Sequence, residues 1–399
     1  MLMPAPDLNA VVPYFQPIIK STDLGVFAYE VLAREERGGK VRSLGPYFEN
    51  PAVSDQDKLA LDMHVRKRAF EAYAASGCEA KLFINLKPSW ICAFEDSALS
   101  TLVMLEQHKI DPQQIVVEVV EEELSDNVRV FGKALSEFRK AGCMLAIDDF
   151  GRGASSMERI AHTTPDIIKV DRSIVQRTDI NRSFYELCHA MDTFGAISGF
   201  DLLFEGVETA FQLERCVKTG WCYLQGFIFS QARKDFEIAY ANRDLLADIL
   251  YIEDNRKAWN MKCRNEVAAN MECEVERLRP LIPVEEEALR EPAALRDLAK
   301  ALPYYCVRCV VCDHKGRRLS RIYQHEGQDT GTAMRRDSAM EMMLHGLFIR
   351  GMDALYAERL GYLSQVYKNA TTKENIMTYV HKLRQDRLLC VDIMPTVLF

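Results

Sequence analysis

The chain has 399 residues, a formal net charge of −8 and 27% charged side chains. The length predicts two or three domains, and the acidic balance argues against broad affinity for nucleic acids or anionic membranes. No apolar run is long enough to span a bilayer, the N-terminus lacks the features of a secretion signal, and twelve cysteines, without a framework spacing in the first 250 residues, favour reduced thiols in a cytoplasmic protein.

Short apolar runs alternate with helix-patterned segments through residues 11–226. Strands are predicted near residues 11–18, 25–33, 81–86, 115–120, 143–147, 167–170, 202–205 and 222–226. Helical spacing covers residues 57–75, 97–108, 128–138, 155–161, 183–194 and 211–218. About eight strands alternating with helices predict an α/β fold, a closed (β/α)8 TIM-like barrel, with a doubly wound open sheet as the alternative.

Polar side chains recur at the ends of the predicted strands. They are Glu30, Asn85, Glu118, Asp148, Asp149, Lys169, Glu205 and Gln225. Because the C-terminal ends of barrel strands meet at one mouth, these side chains are expected to converge there. Carboxylate and amide oxygens favour a hard divalent cation over zinc, and no histidine occupies these positions. Taken alone, the pair Asp148-Asp149 is equally compatible with a solvated turn.

Seven short motifs follow one another between residues 10 and 235. They are Glu30-Val31-Leu32, Asn85-Leu86-Lys87-Pro88, Glu118-Val119-Val120-Glu121, Asp148-Asp149-Phe150-Gly151, Lys169-Val170-Asp171, Glu205-Gly206-Val207-Glu208 and Gln225-Gly226-Phe227. Their order and spacing resemble the EAL domain family of cyclic-di-GMP phosphodiesterases. The resemblance implies hydrolysis of cyclic-di-GMP to linear pGpG by a homodimer that pairs through the barrel.

The resemblance also implies roles for individual residues. Two ions, Mg²⁺ or Mn²⁺, would be held by Glu30, Asn85, Glu118, Asp148 and Asp149, with Asp148 shared between them. Substrate contacts are implied for Glu30, Leu32, Arg34 and Asp149, with the Arg34 guanidinium on a phosphate oxygen. The implied catalytic residues are Lys169, Glu205, Gln225 and Glu121. Lys169 would polarise or position the attacking water, and Glu205 would orient that water or a metal or act as a base. Gln225 would complete the hydrogen-bond shell, and Glu121 would tether the loop after Asp149.

The remaining residues predict two further segments, a helical linker at 236–283 and an α+β domain at 284–399, after a barrel domain at 1–235. The last segment resembles the PAS-like or cache-like domain that follows the barrel in one subgroup of EAL proteins. This implies a sensory or dimerisation role, with a ligand that the sequence does not name. Cys306, Cys309 and Cys312 have a spacing that could suggest a metal site, but residues three apart on a strand face opposite ways, so buried thiols are predicted.

Two functions are consistent with these motifs. The first is a metal-dependent phosphodiesterase regulated by its C-terminal domain. The second is a receptor that binds cyclic-di-GMP without hydrolysing it and signals through a partner protein. The complete set of ligand residues favours the phosphodiesterase, and a turnover assay separates the two.

Overall fold

A computed structural model describes residues 6–87, 97–120, 128–151, 160, 163–236, 240, 242–283, 285–314, 317–325, 360–368, 374–384 and 386–398. The chain forms two compact units, residues 1–253 and 254–399. None of the described helices combines the length and the apolar character needed to cross a membrane. The division predicted from the sequence at residues 235 and 283 stays a prediction.

The first unit contains a closed barrel of eight strands. Among the residues that the structure describes, its strands are β1 (Val11–Lys20), β2 (Val26–Arg37), β3 (Lys40–Ser43), β4 (Lys81–Asn85), β5 (Ile115–Val120), β6 (Met144–Phe150), β7 (Ile167–Val170), β8 (Asp201–Phe204) and β9 (Tyr223–Leu224). The ring runs β1-β9-β8-β7-β6-β5-β4-β2 and closes through the pairing of β1 with β2, while β3 pairs with β2 and is not part of the ring. The predicted barrel is confirmed, and the open sheet is wrong.

Strand β1 gives the barrel a feature that an all-parallel ring lacks. It is antiparallel to both of its neighbours, β2 and β9, whereas the other adjacent pairs of the ring are parallel. The antiparallel pair β1–β2 needs only a short connection, residues 21–25, with no crossover helix. A second hairpin joins β2 to β3 through Gly38 and Gly39, whose φ angles of 57° and 74° suit a two-residue turn.

Helices cover the outside of the barrel. They are α1 (Gly45–Glu49), α2 (Asp55–Ser76), α3 (Ser97–Gln107), α4 (Val128–Ala141), α5 (Arg172–Arg177), α6 (Arg182–Ser198) and α7 (Ala210–Thr219). Local signals set their ends: Ser54 accepts from the backbone N–H of Asp57, and Thr209 forms a capping box with Gln212. Helix α2 stops at Gly77, which has a φ of 65°. The helix predicted near residues 155–161 lies outside the described residues, apart from residue 160.

The second unit is built on an antiparallel sheet. Its strands are β10 (Cys306–Asp313), β11 (Tyr323–Gln324), β12 (Gly361–Leu363), β13 (Tyr367–Lys368), β14 (Asn375–Arg384) and β15 (Arg387–Ile393). The order is β11-β10-β15-β14-β12, with β13 also paired to β14. Helix α8 (Arg243–Leu278) begins in the first unit, and α9 (Glu286–Arg290) and α10 (Arg296–Ala301) follow it. The sequence pattern also predicts a strand at residues 362–367, where the structure has the two short strands β12 and β13. It predicts helices at 338–347 and 352–360 as well, which lie outside the described residues apart from Leu360.

The cysteines of β10 correct one expectation. Cys306 and Cys309 belong to the same buried cluster, although residues three apart should face opposite ways. The cause is an irregularity in the pairing with β15 between Cys306 and Arg308, because a bulge shifts the alternation by one residue. Cys312 does face the other way, in a cluster with Cys390. Among the described residues, the groups that could hold a metal include no cysteine.

A close backbone approach near the end of β9 leads to a first prediction. A Cβ at Gly226 would overlap the backbone of Val207, whose N–H donates to Gln225 O at 3.0 Å and whose O accepts from Ile228 N at 3.1 Å. Gly226→Ala is therefore expected to destabilise the protein by about 1–3 kcal/mol. The measurement is the free energy of unfolding, or the melting temperature of the barrel transition.

Gly132 provides the matched control for this substitution. It is exposed on α4, and among the described residues no heavy atom lies within 4 Å of a Cβ built there. Gly132→Ala should therefore stabilise the protein by about 0.5–1 kcal/mol through helix propensity. Equal melting temperatures for the two variants would contradict the close approach at Gly226.

Candidate active site

One side chain from each barrel strand fills a shared layer inside the ring. The layer consists of Ile18, Ala28, Phe83, Val116, Ala146, Ile167, Leu203 and Tyr223. Since side chains alternate along a strand, the residue two positions further on returns to the same face. On the parallel strands this step leads to Glu30, Asn85, Glu118, Asp148, Lys169, Glu205 and Gln225. The sequence thus places all seven at the C-terminal mouth of one barrel.

The eighth member of this ring was missed from the sequence. On antiparallel β1 the equivalent step runs backwards from Ile18 to Gln16, which is the register partner of Glu30. The Gln16 Nε2 lies 3.5 Å from Ser230 O. Knowing the direction of β1 would have identified Gln16 as a site residue. In an antiparallel first strand Gln16 lies at the mouth, whereas in a parallel one Lys20 would lie there.

Lys169 occupies the centre of the acidic side chains. Its side chain is 1% exposed, and Nζ lies 2.6 Å from Glu205 Oε1, 2.7 Å from Glu118 Oε1 and 2.9 Å from Asp148 Oδ1. Glu30 Oε1 is further away, at 3.6 Å. Burial lowers the pKa of Lys169, but the surrounding carboxylates outweigh it and hold the pKa well above its ordinary value. The ammonium therefore stays charged and can donate but not accept a hydrogen bond.

Glu118 is the most deeply buried acid of the site, with a side-chain exposure of 0%. Its Oε1 is in the ion pair with Lys169, whereas its Oε2 is buried without a hydrogen-bond partner among the described residues. Burial raises the pKa of this carboxyl well above its ordinary value, and the charges of Glu30 and Asp148 raise it further, against the effect of Lys169. A buried carboxylate oxygen without a donor is an arrangement that a bound cation would satisfy.

The chain is distorted where the two aspartates follow each other. Adjacent residues of a regular strand face opposite ways, but the pairing of β6 with β7 slips between Ile147 and Phe150. Asp149 has a φ of 56°, in the left-handed region that is uncommon for residues other than glycine, and its N–H donates to Asp148 Oδ1 at 3.0 Å. As a result Asp148, Asp149 and Glu205 each present one oxygen within 4.8 Å of the others.

The acids Glu30 and Glu205 and the amide of Gln225 complete the site. Gln225 Nε2 donates to Glu30 Oε2 at 2.5 Å, which fixes a carboxylate that is only 9% exposed. Burial raises the pKa of Glu205 to about 8, with additional contributions from Asp148 and Glu30 that Lys169 opposes. Glu121 lies outside the described residues, so its predicted role as a tether stays a prediction.

A cavity of about 500 Å³ opens beside the acids. Its lining includes Leu32, Arg34, Asn85, Asp148 and Asp149. The Arg34 Nη1 donates to Ala33 O at 3.0 Å and to Ser43 Oγ at 3.3 Å, on the neighbouring strand β3. Burial lowers the pKa of Arg34, against the opposing charge of Glu30. The cavity therefore combines a cation, several carboxylates and an apolar wall, a lining suited to a charged organic ligand.

The donor set fits a hard divalent cation. Asp148, Asp149 and Glu205 are close enough to share one ion, and Glu118 has an oxygen without a partner among the described residues. All of these ligand atoms are oxygens, as Mg²⁺, Mn²⁺ and Ca²⁺ prefer. The resemblance implies that Glu205 orients the water or a metal, and the structure groups it with the aspartate pair.

Comparisons with known proteins agree with this geometry. The EAL domain family matches residues 1–232. The chain is 23% identical over 406 residues to the uncharacterized EAL-domain containing protein YkuI of Bacillus subtilis, over 98% of this chain and 96% of YkuI. It is 26% identical to the cyclic di-GMP phosphodiesterase RocR of Pseudomonas aeruginosa, over 55% of this chain and 56% of RocR.

Solved structures extend the comparison to the fold. The crystal structure of Bacillus subtilis YkuI with cyclic-di-GMP and calcium matches with a TM-score of 0.80 and 22% identity, over 98% of this chain and 96% of that one. At this identity the likeness shows a shared fold for both units. Klebsiella pneumoniae BlrP1 with calcium and cyclic-di-GMP matches with a TM-score of 0.52 and 27% identity, over 58% of each chain.

Proposed function

The chain belongs to the EAL domain family, and from this premise we propose that it hydrolyses cyclic-di-GMP to linear pGpG with two divalent cations, Mg²⁺ or Mn²⁺. One observation carries the proposal: four carboxylates of the barrel mouth surround the buried amine of Lys169 beside a cavity of about 500 Å³. Relatives that are named cyclic-di-GMP phosphodiesterases, including RocR, support the same substrate.

The proposed ligands of the two cations are the residues that meet at the mouth. They are Glu30, Asn85, Glu118, Asp148, Asp149 and Glu205. When bound, such cations polarise the phosphodiester and lower the pKa of a coordinated water. In the reaction a bond forms between the water oxygen and phosphorus, the bond from phosphorus to the 3′ oxygen breaks, and that oxygen takes up a proton.

The protein's own side chains supply orientation and charge. Lys169 stays protonated, so its role is to donate a hydrogen bond to the attacking water, and Glu205, 2.6 Å from its Nζ, helps to orient that water. Gln225 holds Glu30 in place through the 2.5 Å hydrogen bond. Arg34 lines the cavity, where its guanidinium would bind a phosphate oxygen. Homodimerisation through the barrel, a cytoplasmic location, a PAS-like or cache-like fold for residues 284–399, a ligand for that segment and its control of the barrel stay predictions.

A turnover assay tests this function directly. Purified protein is incubated with cyclic-di-GMP and Mn²⁺ or Mg²⁺, and pGpG is quantified by chromatography. We expect pGpG with either ion, none in the presence of a chelator, and none from Glu30→Ala. Binding of cyclic-di-GMP without any pGpG would overturn the phosphodiesterase and support the receptor that signals through a partner protein.

A further inference from the structure

A buried arginine, Arg66, forms part of the cavity wall beside Asn85. Arg66 belongs to α2, and its side chain is 2% exposed. It donates from Nη1 to Thr101 Oγ1 at 2.6 Å and from Nη2 to Asn85 O at 3.1 Å, and it forms an ion pair with Asp62 one helical turn earlier. Thr101, on α3, is 0% exposed. One planar guanidinium thus connects α2, α3 and the end of β4.

The group that Arg66 holds is the last peptide of β4. Asn85 ends that strand, pairs in register with Glu118, and lines the cavity together with Asp148. Its carbonyl is held by Arg66, and the following N–H, of Leu86, donates to Glu118 O at 2.8 Å. The C=O and the N–H of the peptide between Asn85 and Leu86 are therefore both hydrogen-bonded. This fixes the plane of the peptide and, with it, the direction in which the Asn85 side chain leaves the backbone.

The chemistry of this contact favours a role in positioning. A buried ion pair contributes little net stability compared with apolar residues of the same volume, so packing alone does not explain the buried Arg66–Asp62 pair in the cavity wall. A guanidinium offers donors in a fixed plane, which suits the simultaneous orientation of several oxygens. Residues that orient a metal ligand without touching the metal are known to change metal affinity by about 10–100-fold.

We propose that Arg66 is a positioning residue, which fixes the carbonyl of Asn85 and thereby aims the Asn85 amide at the divalent cation. The inference rests on one part of the proposed function, namely that Asn85 is a metal ligand. It assigns no contact between Arg66 and substrate. Its effect is expected in the affinity for the metal, and turnover changes only as a consequence.

The first test is Arg66→Met, with Mn²⁺ binding measured by calorimetry in the absence of cyclic-di-GMP. We expect the dissociation constant to rise by about tenfold or more, and Arg66→Lys, which keeps one donor group, to give a smaller rise. Arg68→Met is the matched control, because Arg68 is on the same helix and its Nη1 donates to Val11 O at 2.7 Å, away from the cavity lining. It should leave Mn²⁺ binding unchanged.

A double-mutant cycle separates positioning from general loosening of the fold. In an Asn85→Ala background, Arg66→Met should weaken Mn²⁺ binding no further, because the ligand through which it acts is gone. An equal weakening in both backgrounds would overturn the proposal. If Arg66→Met does not fold, Thr101→Val is the alternative test, since it removes one hydrogen-bond partner of Arg66. A rise in the Mn²⁺ dissociation constant that is smaller than the rise of about tenfold expected for Arg66→Met would support the proposal. An unchanged dissociation constant would overturn it.

Because Mn²⁺ binding is measured apart from turnover, a failure of this inference can be distinguished from a failure of the proposed function. If the wild-type protein binds Mn²⁺ but does not hydrolyse cyclic-di-GMP, the proposed hydrolysis fails while the cycle still tests Arg66. If the wild-type protein does not bind Mn²⁺ at all, the role of Asn85 and that of Arg66 are both overturned.

Discussion

Replacing Lys169 with methionine is expected to slow the hydrolysis of cyclic-di-GMP by about 10²–10³-fold and to lower the melting temperature of protein stripped of divalent cations. The Nζ contacts Glu118, Asp148 and Glu205 within 2.9 Å at 1% exposure, so methionine leaves buried acids without their cation. Breaking a buried pair costs about 3–5 kcal/mol, and losing one preorganised donor lowers kcat by about 10²–10³-fold. Turnover by chromatography and melting with and without chelator measure both effects.

Lys140→Met is the control for this substitution. Lys140 pairs with Glu137 at 2.8 Å, but both side chains are at least half exposed, so water screens the pair. Its removal should change neither the melting temperature nor the turnover. A Lys169→Met protein that melts like the wild type in chelator would contradict the view that the ammonium balances the acids.

The positions of most site residues follow from the sequence because strand alternation is a local property. Once Ala28 or Phe83 is assigned to the interior, Glu30 or Asn85 two positions later must share its face. The direction of a strand is not local, and this explains the missed residue. Gln16 joins the ring only because β1 is antiparallel, which is determined by its pairing with both β2 and β9.

Irregular strand pairing interrupts the alternation of side chains along a strand in two places. The slip after Ile147, together with the left-handed φ of Asp149, lets neighbouring aspartates approach one another. The irregularity after Cys306 turns Cys309 toward the same core. A bulge is stabilised by contacts from several elements and leaves little trace in the local sequence, so neither was predictable. Arg66 was missed for a related reason: helical periodicity identifies apolar faces and gives no indication of a buried charge.

Asp148→Asn is the second substitution with a large expected effect. It separates the two roles of the Asp148 carboxylate, which pairs with the Lys169 ammonium and is a proposed metal ligand. An asparagine Oδ1 can still accept from the N–H of Asp149, a bond of 3.0 Å, so the strand end should keep its conformation. The loss of one negative charge leaves Lys169 balanced by fewer acids and relieves repulsion among the carboxylates. In chelator, we therefore expect a melting temperature at or above that of the wild type.

The same variant should respond weakly to metal. A wild-type protein with free Mn²⁺ at 100 times its dissociation constant gains about 2.7 kcal/mol of stability, and Asp148→Asn should gain far less because an oxygen ligand has lost its charge. Hydrolysis should fall by at least about a hundredfold. The two measurements are melting with increasing Mn²⁺ and pGpG release under the same conditions.

Asp23→Asn is a matched control, since Asp23 Oδ1 also accepts a backbone N–H, from Gly25 at 2.8 Å, and its Oδ2 also lies near a lysine, 3.7 Å from Lys20 Nζ. It lies between β1 and β2, outside the ring of site residues. Its substitution should change neither the Mn²⁺ response nor turnover. If Asp148→Asn keeps the full Mn²⁺ response but loses hydrolysis, Asp148 acts on the substrate or the water instead, and the proposed cation site must be assigned to the remaining acids.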